Sequence, residues 1–165
     1  MGQVIGKVMT HGFAGSYSRQ PDAIIDTHVA GGAIQYGQGV VFSSGAVALP
    51  GQSSVAADFV GVACREVKTP ASYASQGVGS YAQYDAVPVI KRGCVNVLCQ
   101  NGTPAADGTV YLRVKANGSL PNAVVGGFEA ASDSTNSVAL TNVKWKGVAD
   151  ANGIAEIRIM TTLHA

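Results

Sequence analysis

The feature that most constrains the fold of this chain is a two-residue alternation of apolar and polar side chains. In the run Thr109–Lys115, apolar residues occupy every second position, with Tyr111 and Arg113 between them. Because successive side chains of a strand point to opposite faces, this pattern is typical of a β-strand with one buried face. The run Ile154–Met160 repeats it, with Glu156 on the polar face, and no segment has a clear helical period. We therefore predict an all-β fold.

Similar runs recur between Gly-rich turns from residue 34 to the end of the chain. The segment Ser43–Ala46 predicts a hairpin turn, and Lys91–Gly93 predicts a hairpin or a bend. Many short strands separated by turn signals are typical of a β-sandwich or barrel. We predict a single sandwich-like or barrel-like domain at residues 34–165. Its predicted strands are Val40–Phe42, Val47–Leu49, Phe59–Glu66, Ala86–Ile90, Cys94–Cys99, Thr109–Lys115, Val143–Val148 and Ile154–Met160.

Residues 1–33 differ from the rest of the chain. Glycines interrupt them repeatedly, with Phe13 and Tyr17 in between and the apolar pair Ile24 and Ile25 further on. A segment that combines flexible glycines with aromatic and aliphatic side chains suits ordering on a partner. We predict an extended N-terminal arm, and the alternative is a disordered terminus.

Two long loops separate the predicted strands. One covers residues 68–83 and carries Tyr73 and Tyr81, and the other covers residues 120–136 and is rich in small residues. Compact domains seldom keep loops of this length unless the loops have a function. Both loops are therefore candidates for a functional role.

The chain is unusually poor in charge for a β-domain. Charged residues make up 13% of it, whereas about a quarter is usual in soluble domains. A monomer uses surface charge to stay soluble and to protect the edges of its sheets from unwanted pairing. We therefore predict that much of the surface is covered in an assembly.

The charge distribution also excludes some classes of partner. The net charge is +1, and the longest basic groupings are Lys91-Arg92 and the pair Lys144 and Lys146 on either side of Trp145. Sequence-independent binding to nucleic acid needs more positive charge to displace the counterions of the phosphates. No apolar run approaches the roughly 20 residues of a transmembrane helix. The sequence predicts neither a nucleic-acid partner nor a membrane partner.

Residue types that carry catalysis or metal binding form no recognisable motif. The histidines are scattered, and Cys94 and Cys99, an odd number of positions apart, would point to opposite faces of one strand. There is no zinc-binding signature, phosphate-binding loop or nucleophile elbow. We predict that the chain is not an enzyme and has no catalytic residue, no cofactor and no metal site.

Several pieces of the chain, taken in order, resemble one protein family. The pieces are Gly12–Gly15, Arg19–Asp22, Ile24–Asp26, Ile34–Val40, Asp58–Ala63, Tyr84–Val89, Arg92–Val95, Gly147–Asp150 and Ala155–Arg158. Their order and spacing resemble the structural cement, or decoration, proteins of tailed-bacteriophage capsids. None of the pieces is a catalytic motif, so the resemblance implies a binding protein without an active site.

The resemblance also implies a location and a partner. We expect a protein of the virion, on the outer capsid surface, that stabilises the lattice of the major capsid protein by bridging capsomers. A dimer or trimer would engage several sites at once and gain binding strength through effective concentration. Strand addition by the arm to a sheet edge of the capsid is the expected mode. The predicted interface residues are Phe13, Tyr17, Arg19, Ile24, Ile25, Tyr73 and Tyr81.

Two alternatives share this composition. One is a β-rich tail-associated or receptor-binding module of the virion, whose mark would be a groove of surface aromatic residues. The other is a small enzyme, whose mark would be a cluster of titratable residues. The sequence shows no such cluster, so the first alternative is the stronger of the two.

Overall fold

The computed structural model describes residues 10–65 and 79–163 of the chain. These residues contain strands and two short 3-10 helices, Ala56–Asp58 and Ser134–Asn136, but no α-helix. The predicted all-β class is confirmed. The strands are β1 (Tyr17–Val29), β2 (Ile34–Gln35), β3 (Gly39–Ser43), β4 (Ala46–Ala48), β5 (Phe59–Ala63), β6 (Ser80–Tyr81), β7 (Ala86–Leu98), β8 (Thr109–Arg113), β9 (Phe128–Glu129), β10 (Ser137–Trp145) and β11 (Ile154–Ile159).

Nine of these strands form one curled sheet with the shape of a half-barrel. Its order is β4-β3-β5-β7-β11-β10-β8-β9, and β1 is an additional neighbour of β7. The strands of this sheet pair in antiparallel fashion, and β2 and β6 form a separate antiparallel pair. A twisted antiparallel sheet that curls can enclose a core on one surface. The prediction of a barrel-like domain is confirmed.

The alternation predicted from sequence is present in the pair β10 and β11. Val143 lies opposite Ile159 and Trp145 lies opposite Ile157, and all four side chains are buried. The hairpin predicted at Ser43–Ala46 is also present, since β3 and β4 pair on either side of it. Period-two patterning therefore located the buried face of these strands correctly.

The apolar faces of the strands meet in two clusters. The main core surrounds the fully buried Trp145, and in it the rings of Phe59 and Phe128 meet edge-on with centroids 6.3 Å apart. A second cluster includes Ile34 of β2 and Tyr81 of β6. Complete burial of one large apolar side chain stabilises a fold by about 1.5–3 kcal/mol. The two clusters thus fix the strands that carry the surface described below.

Strand β7 has 13 residues and is, with β1, one of the two longest strands described. It runs unbroken through residues 86–98, so of the hairpin or bend predicted at Lys91–Gly93 the hairpin is wrong. Gly93 has a φ of 117°, and a Cβ at this position would overlap the carbonyl oxygen of Asp22 in β1. Glycine adopts such a φ without strain and leaves room for the neighbouring backbone. The glycine that suggested a turn in fact allows β1 to approach closely.

Strand β1 is the part of the predicted N-terminal arm that the structure describes as regular. It is extended, as predicted, and it pairs with β7 from Tyr17 opposite Val95 to Val29 opposite Ala86. The register shifts at several points before Ile25 and is regular from there onward. The extended segment is therefore ordered on its own chain, while a domain boundary at residue 33 stays a prediction.

The predicted loop 68–83 is described only in its last part. Residues 66–78, which include Tyr73, lie outside the described residues. Beyond them, Ser80 and Tyr81 form β6 and pair with Gln35 and Ile34 of β2. The end of this loop is thus a strand, which the sequence pattern did not show because two residues are too few to display a period.

The other predicted loop, residues 120–136, is organised by Arg113. This arginine lies on the predicted polar face of β8 but is fully buried, because it donates hydrogen bonds to the buried Glu129 and, at 2.8 Å, to Asp133. Asn117 donates to the same Asp133 carboxylate at 2.9 Å. Buried charges are tolerated when they are paired and hydrogen-bonded. This network holds the loop, including β9, against the sheet.

Candidate binding surface

Strand β1 lies at an edge of the sheet. Among the described strands, β1 pairs only with β7. Just past the end of β1, Ala30 forms an isolated backbone bridge with Val47 of β4. An edge strand presents a row of backbone N–H and C=O groups that another chain can pair with. Among residues 10–65 and 79–163, no other strand lies along the side of β1 away from β7, which is the arrangement that strand addition requires.

The side chains of β1 add an apolar character to this edge. Tyr17, Ile24, Ile25 and Val29 are all substantially exposed. Single exposed apolar residues are ordinary, but several of them along one edge strand favour its use as an interaction site. We call this group, together with the free edge of the strand, the β1 surface.

Tyr84 extends the β1 surface at its C-terminal end. Its backbone N–H donates to the carbonyl of Ala30 at 2.8 Å, and its side chain is 79% exposed. Its φ of 72° is unusual for a bulky residue. Such a conformation persists only where the surrounding structure imposes it, and it is enriched at functional sites. An exposed aromatic ring in a fixed position is a suitable anchor for a partner.

Ion pairs fasten the middle of β1 to the sheet. Asp22 accepts from Arg92 at 3.0 Å and from Arg158 at 3.2 Å, and Asp26 lies 2.9 Å from the ammonium of Lys91. Lys91 is almost fully buried, whereas Asp26 is half exposed. Exposed pairs contribute about 0.2–1 kcal/mol each, so their main effect here is to hold β1 in one register.

A further ion pair joins β1 to β11. The guanidinium of Arg19 contacts the carboxylate of Glu156 at 3.0 Å. Burial acts to raise the pKa of Glu156, but hydrogen bonds from Arg19, Ser18 and Cys94 and the charge of Arg19 outweigh it and lower that pKa. Burial raises the pKa of the neighbouring Cys94 thiol. Glu156, which the sequence placed on the polar face, is thus buried beneath the N-terminal segment.

The residues just before β1 are also held by the domain. The Asn96 side chain donates to the carbonyl of His11 at 2.6 Å, and the Asp150 carboxylate accepts from the backbone N–H of His11 at 2.8 Å. The guanidinium of Arg65 lies over the ring of Phe13, 4.4 Å from its centroid. Cation–π contact of this kind fixes the ring while leaving its other face exposed.

The structure brings most of the predicted interface residues to one segment. Phe13, Tyr17, Arg19, Ile24 and Ile25 lie on β1 or directly before it, and all are exposed. The remaining two predicted residues have different outcomes. Tyr73 is outside the described residues, and Tyr81 is buried in the second apolar cluster.

Tyr81 is the one described interface candidate that a partner cannot reach. It is 2% exposed, and its hydroxyl donates to the carbonyl of Cys64 at 2.7 Å. Its ring also meets that of Tyr36 edge-on at 5.2 Å. A tyrosine whose hydroxyl has a partner is a stable core residue. Its assignment to the interface is corrected, since the predicted loop position gave no sign of β6.

The predicted interface residues leave out three exposed side chains on or next to the β1 surface, namely Val29, Phe42 and Tyr84. Val29 and Phe42 are both exposed, and the ring of His28 packs edge-on against that of Phe42 with centroids 5.1 Å apart. Burial, and secondarily the charge of Lys91, lowers the pKa of His28. Tyr84 is the third missed residue. A signal for it was present, because it opens one of the segments that carry the family resemblance.

No group of three or more His, Cys, Asp or Glu side chains among residues 10–65 and 79–163 is arranged to hold a metal ion. None of the helices found there is long and apolar enough to span a bilayer.

Comparison with known proteins identifies the family. Residues 1–160 match the family described as structural cement protein (E217 gp24/Pam3 gp6). The chain belongs to the phage structural cement protein family. Its role is therefore that of a structural protein of the phage capsid, located in the virion. A search of the curated proteins found no match.

The fold of this cement protein also occurs in a solved structure. A chain from "The capsid of Myoviridae Phage XM1" superposes with a TM-score of 0.73 and 17% sequence identity, and 98% of each chain is covered. At this identity the likeness concerns the fold alone. It covers the N-terminal segment as well as the sheet, which agrees with β1 being part of the sheet.

Proposed function

We propose that this cement protein binds the outer surface of a tailed-phage capsid and stabilises the lattice by bridging neighbouring major capsid subunits. It acts as a dimer or trimer, so that several contacts form together. In this proposal residues 1–33 are the attachment segment, and residues 34–165 form the domain that supports it. The partners are the major capsid protein and further copies of the same chain.

The observation that carries the proposal is the β1 surface. It combines a free strand edge with exposed apolar side chains, which supports binding by strand addition. Pairing with β7 and the ion pairs of Asp22 and Asp26 hold this surface in place before any partner arrives. A preorganised surface loses less conformational entropy on binding, so a larger share of the contact energy appears as affinity.

Substitution of the exposed anchors at the end of β1 tests the proposal. Asn tolerates the positive φ of residue 84 better than Tyr, and Thr is a β-branched substitute for Val29, so V29T/Y84N is expected to fold normally. The control variant is V124T/V148T, which alters two exposed valines outside β1. Each protein is titrated against purified capsid shells from which the cement protein has been stripped, and bound protein is measured by cosedimentation.

We expect V29T/Y84N to bind the shells at least about ten-fold more weakly, because aromatic anchors carry about 2 kcal/mol or more at interfaces. The control is expected to bind like the wild type. Equal binding by V29T/Y84N would show that the β1 surface is not the contact. Failure of the wild type to bind shells, with binding to isolated tails instead, would overturn the cement function itself.

A further inference from the structure

A group of positively charged side chains lies on the face of the sheet opposite Trp145. Lys144 of β10 is directly opposite Arg158 of β11. Lys146 lies two residues after Lys144, just past the end of β10. Together with Met160 and Asp107 they line a surface cavity of about 280 Å³. We call this cavity the cationic cleft.

Among the residues that the structure describes, the lysines of the cationic cleft have no acidic partner within ion-pair distance. Like charges directly opposite each other on neighbouring strands are destabilising, and Lys144 and Arg158 are such a pair. Arg158 shares the carboxylate of Asp22 with Arg92, whereas Lys144 and Lys146 make no salt bridge with any described residue. Asp107 is the one carboxylate that lines the cleft, and it lies there with two lysines that have no described ion pair and with Arg158, whose described partner is Asp22.

This imbalance stands out against the rest of the chain. Elsewhere on the same sheet, cationic side chains have acidic partners: Arg19 contacts Glu156, and Arg113 contacts Glu129 and Asp133. Two cations placed directly across from each other on neighbouring strands retain a local repulsion. An anionic partner would relieve that repulsion, so binding it gains more than an ordinary surface pair would.

We infer that the cationic cleft receives a carboxylate side chain from an acidic segment of the protein to which this chain attaches. The inference rests on the proposed function and adds the chemistry of a second contact, apart from the β1 surface. The planar guanidinium of Arg158 suits bidentate binding of a carboxylate, and the lysine ammonium groups supply further donors.

The shape and lining of the cationic cleft favour a protein segment over nucleic acid. The cavity has room for one or two carboxylate groups, and its rim carries both an acidic residue, Asp107, and an exposed apolar one, Met160. A phosphate backbone is bound by an extended run of cations, and the chain has a net charge of only +1. In a partner segment, an acidic residue would contact the cations of the cleft, and an apolar residue beside it would contact Met160.

The decisive variant is K144E, which reverses one charge in the cleft. It turns the like-charge pair with Arg158 into an opposite-charge pair, so the melting temperature is expected to stay equal or rise. Binding to stripped capsid shells is expected to weaken about ten-fold, since a carboxylate would then face a carboxylate. K115E is the matched control, because Lys115 is exposed, lies outside the cleft and undergoes the same change of charge.

Salt dependence and a defined probe complete the test. Wild-type affinity for the shells is expected to fall between 50 and 300 mM NaCl, and the fall should be smaller for K144E, because salt screens exposed charges. A ten-residue glutamate peptide should shift the backbone NMR signals of residues 144–146 and 158 of the wild type. A DNA duplex at the same ionic strength should leave them in place.

Each outcome decides a separate point. If K144E binds shells as well as the wild type, or if the DNA duplex shifts these signals and the peptide does not, the inference is wrong while the cement function stands. If the wild type fails to bind shells at all, the cement function fails. In that case the peptide titration alone still shows whether the cleft accepts carboxylates.

Discussion

Glu156 and Arg19 hold the start of β1 against β11, and their coupling should depend on pH. The pKa of Glu156 is lower in the folded than in the unfolded state. The ionised carboxylate therefore contributes its full share to the free energy of unfolding above the unfolded pKa of about 4.3, and this share is lost as the pH falls through the lower folded pKa. We expect E156Q to lose about 1–2 kcal/mol of stability at pH 7. The loss should shrink as the pH falls below the unfolded value and through the lower folded one.

A double-mutant cycle separates this pair from its surroundings. R19Q, E156Q and the double variant are melted between pH 7 and pH 3, and the coupling energy is followed. A coupling that is the same at both ends of the range would contradict the assignment.

Residue-level sequence reasoning placed Glu156 on an exposed face, because alternation reports the side of a strand and not what lies over it. The burial of Arg113 escaped prediction for the same reason.

Gly93 is the residue on which the pairing of two long elements depends. In G93A the new Cβ would overlap the carbonyl oxygen of Asp22, and the φ of 117° would be strained. We expect a loss of about 2 kcal/mol or more and faster hydrogen exchange in β1. G147A is the control, because the same addition at Gly147 meets no atom within 4 Å. Unchanged exchange in G93A would refute this role.

At the level of elements, the sequence predicted most of the longer strands, but it did not predict the continuity of β7 or the shortest strands. The runs around β3, β4, β5, β8 and β11 are long enough to show a period of two, and they were located correctly. The strand predicted at Val143–Val148 is β10, but β10 begins at Ser137 and ends at Trp145, so only its last three residues were predicted. The uninterrupted β7 was divided at Gly93, because a glycine after two charged residues looks like a turn. Strands β2, β6 and β9 have two residues each and were not predicted. Their pairing depends on distant parts of the chain.

For the whole molecule, the prediction concerns the capsid. A ligand that binds only the assembled shell stabilises it by mass action, by about 2.7 kcal/mol per site when its concentration is a hundred times the dissociation constant. We expect the temperature of heat-induced DNA release to rise as stripped particles are titrated with the protein, and to level off when the sites are filled. A dye that reports released DNA gives the measurement. Identical release temperatures for bare and decorated particles would contradict a cementing role.

The class of the whole molecule was accessible from sequence, whereas its surface was not. The two-residue alternation and the low content of charged residues predicted an all-β protein that is part of an assembly. The order and spacing of the segments that resemble the structural cement proteins predicted the family. The cationic cleft could not be predicted, because Lys144 and Arg158 become neighbours only when β10 and β11 pair. Only the pair Lys144 and Lys146 around Trp145 gave a partial signal.

The pairing of β1 with β7 has a mechanical consequence. The backbone hydrogen bonds between antiparallel strands lie roughly perpendicular to the strand direction. A pull on the N-terminal end of β1, directed along the strand, therefore loads them in shear and together, whereas peeling would break them one after another. The ion pairs of Asp22 and Asp26 with β7 share the same load. A capsid protein built in this way would transmit tension from the proposed attachment segment into the centre of its sheet.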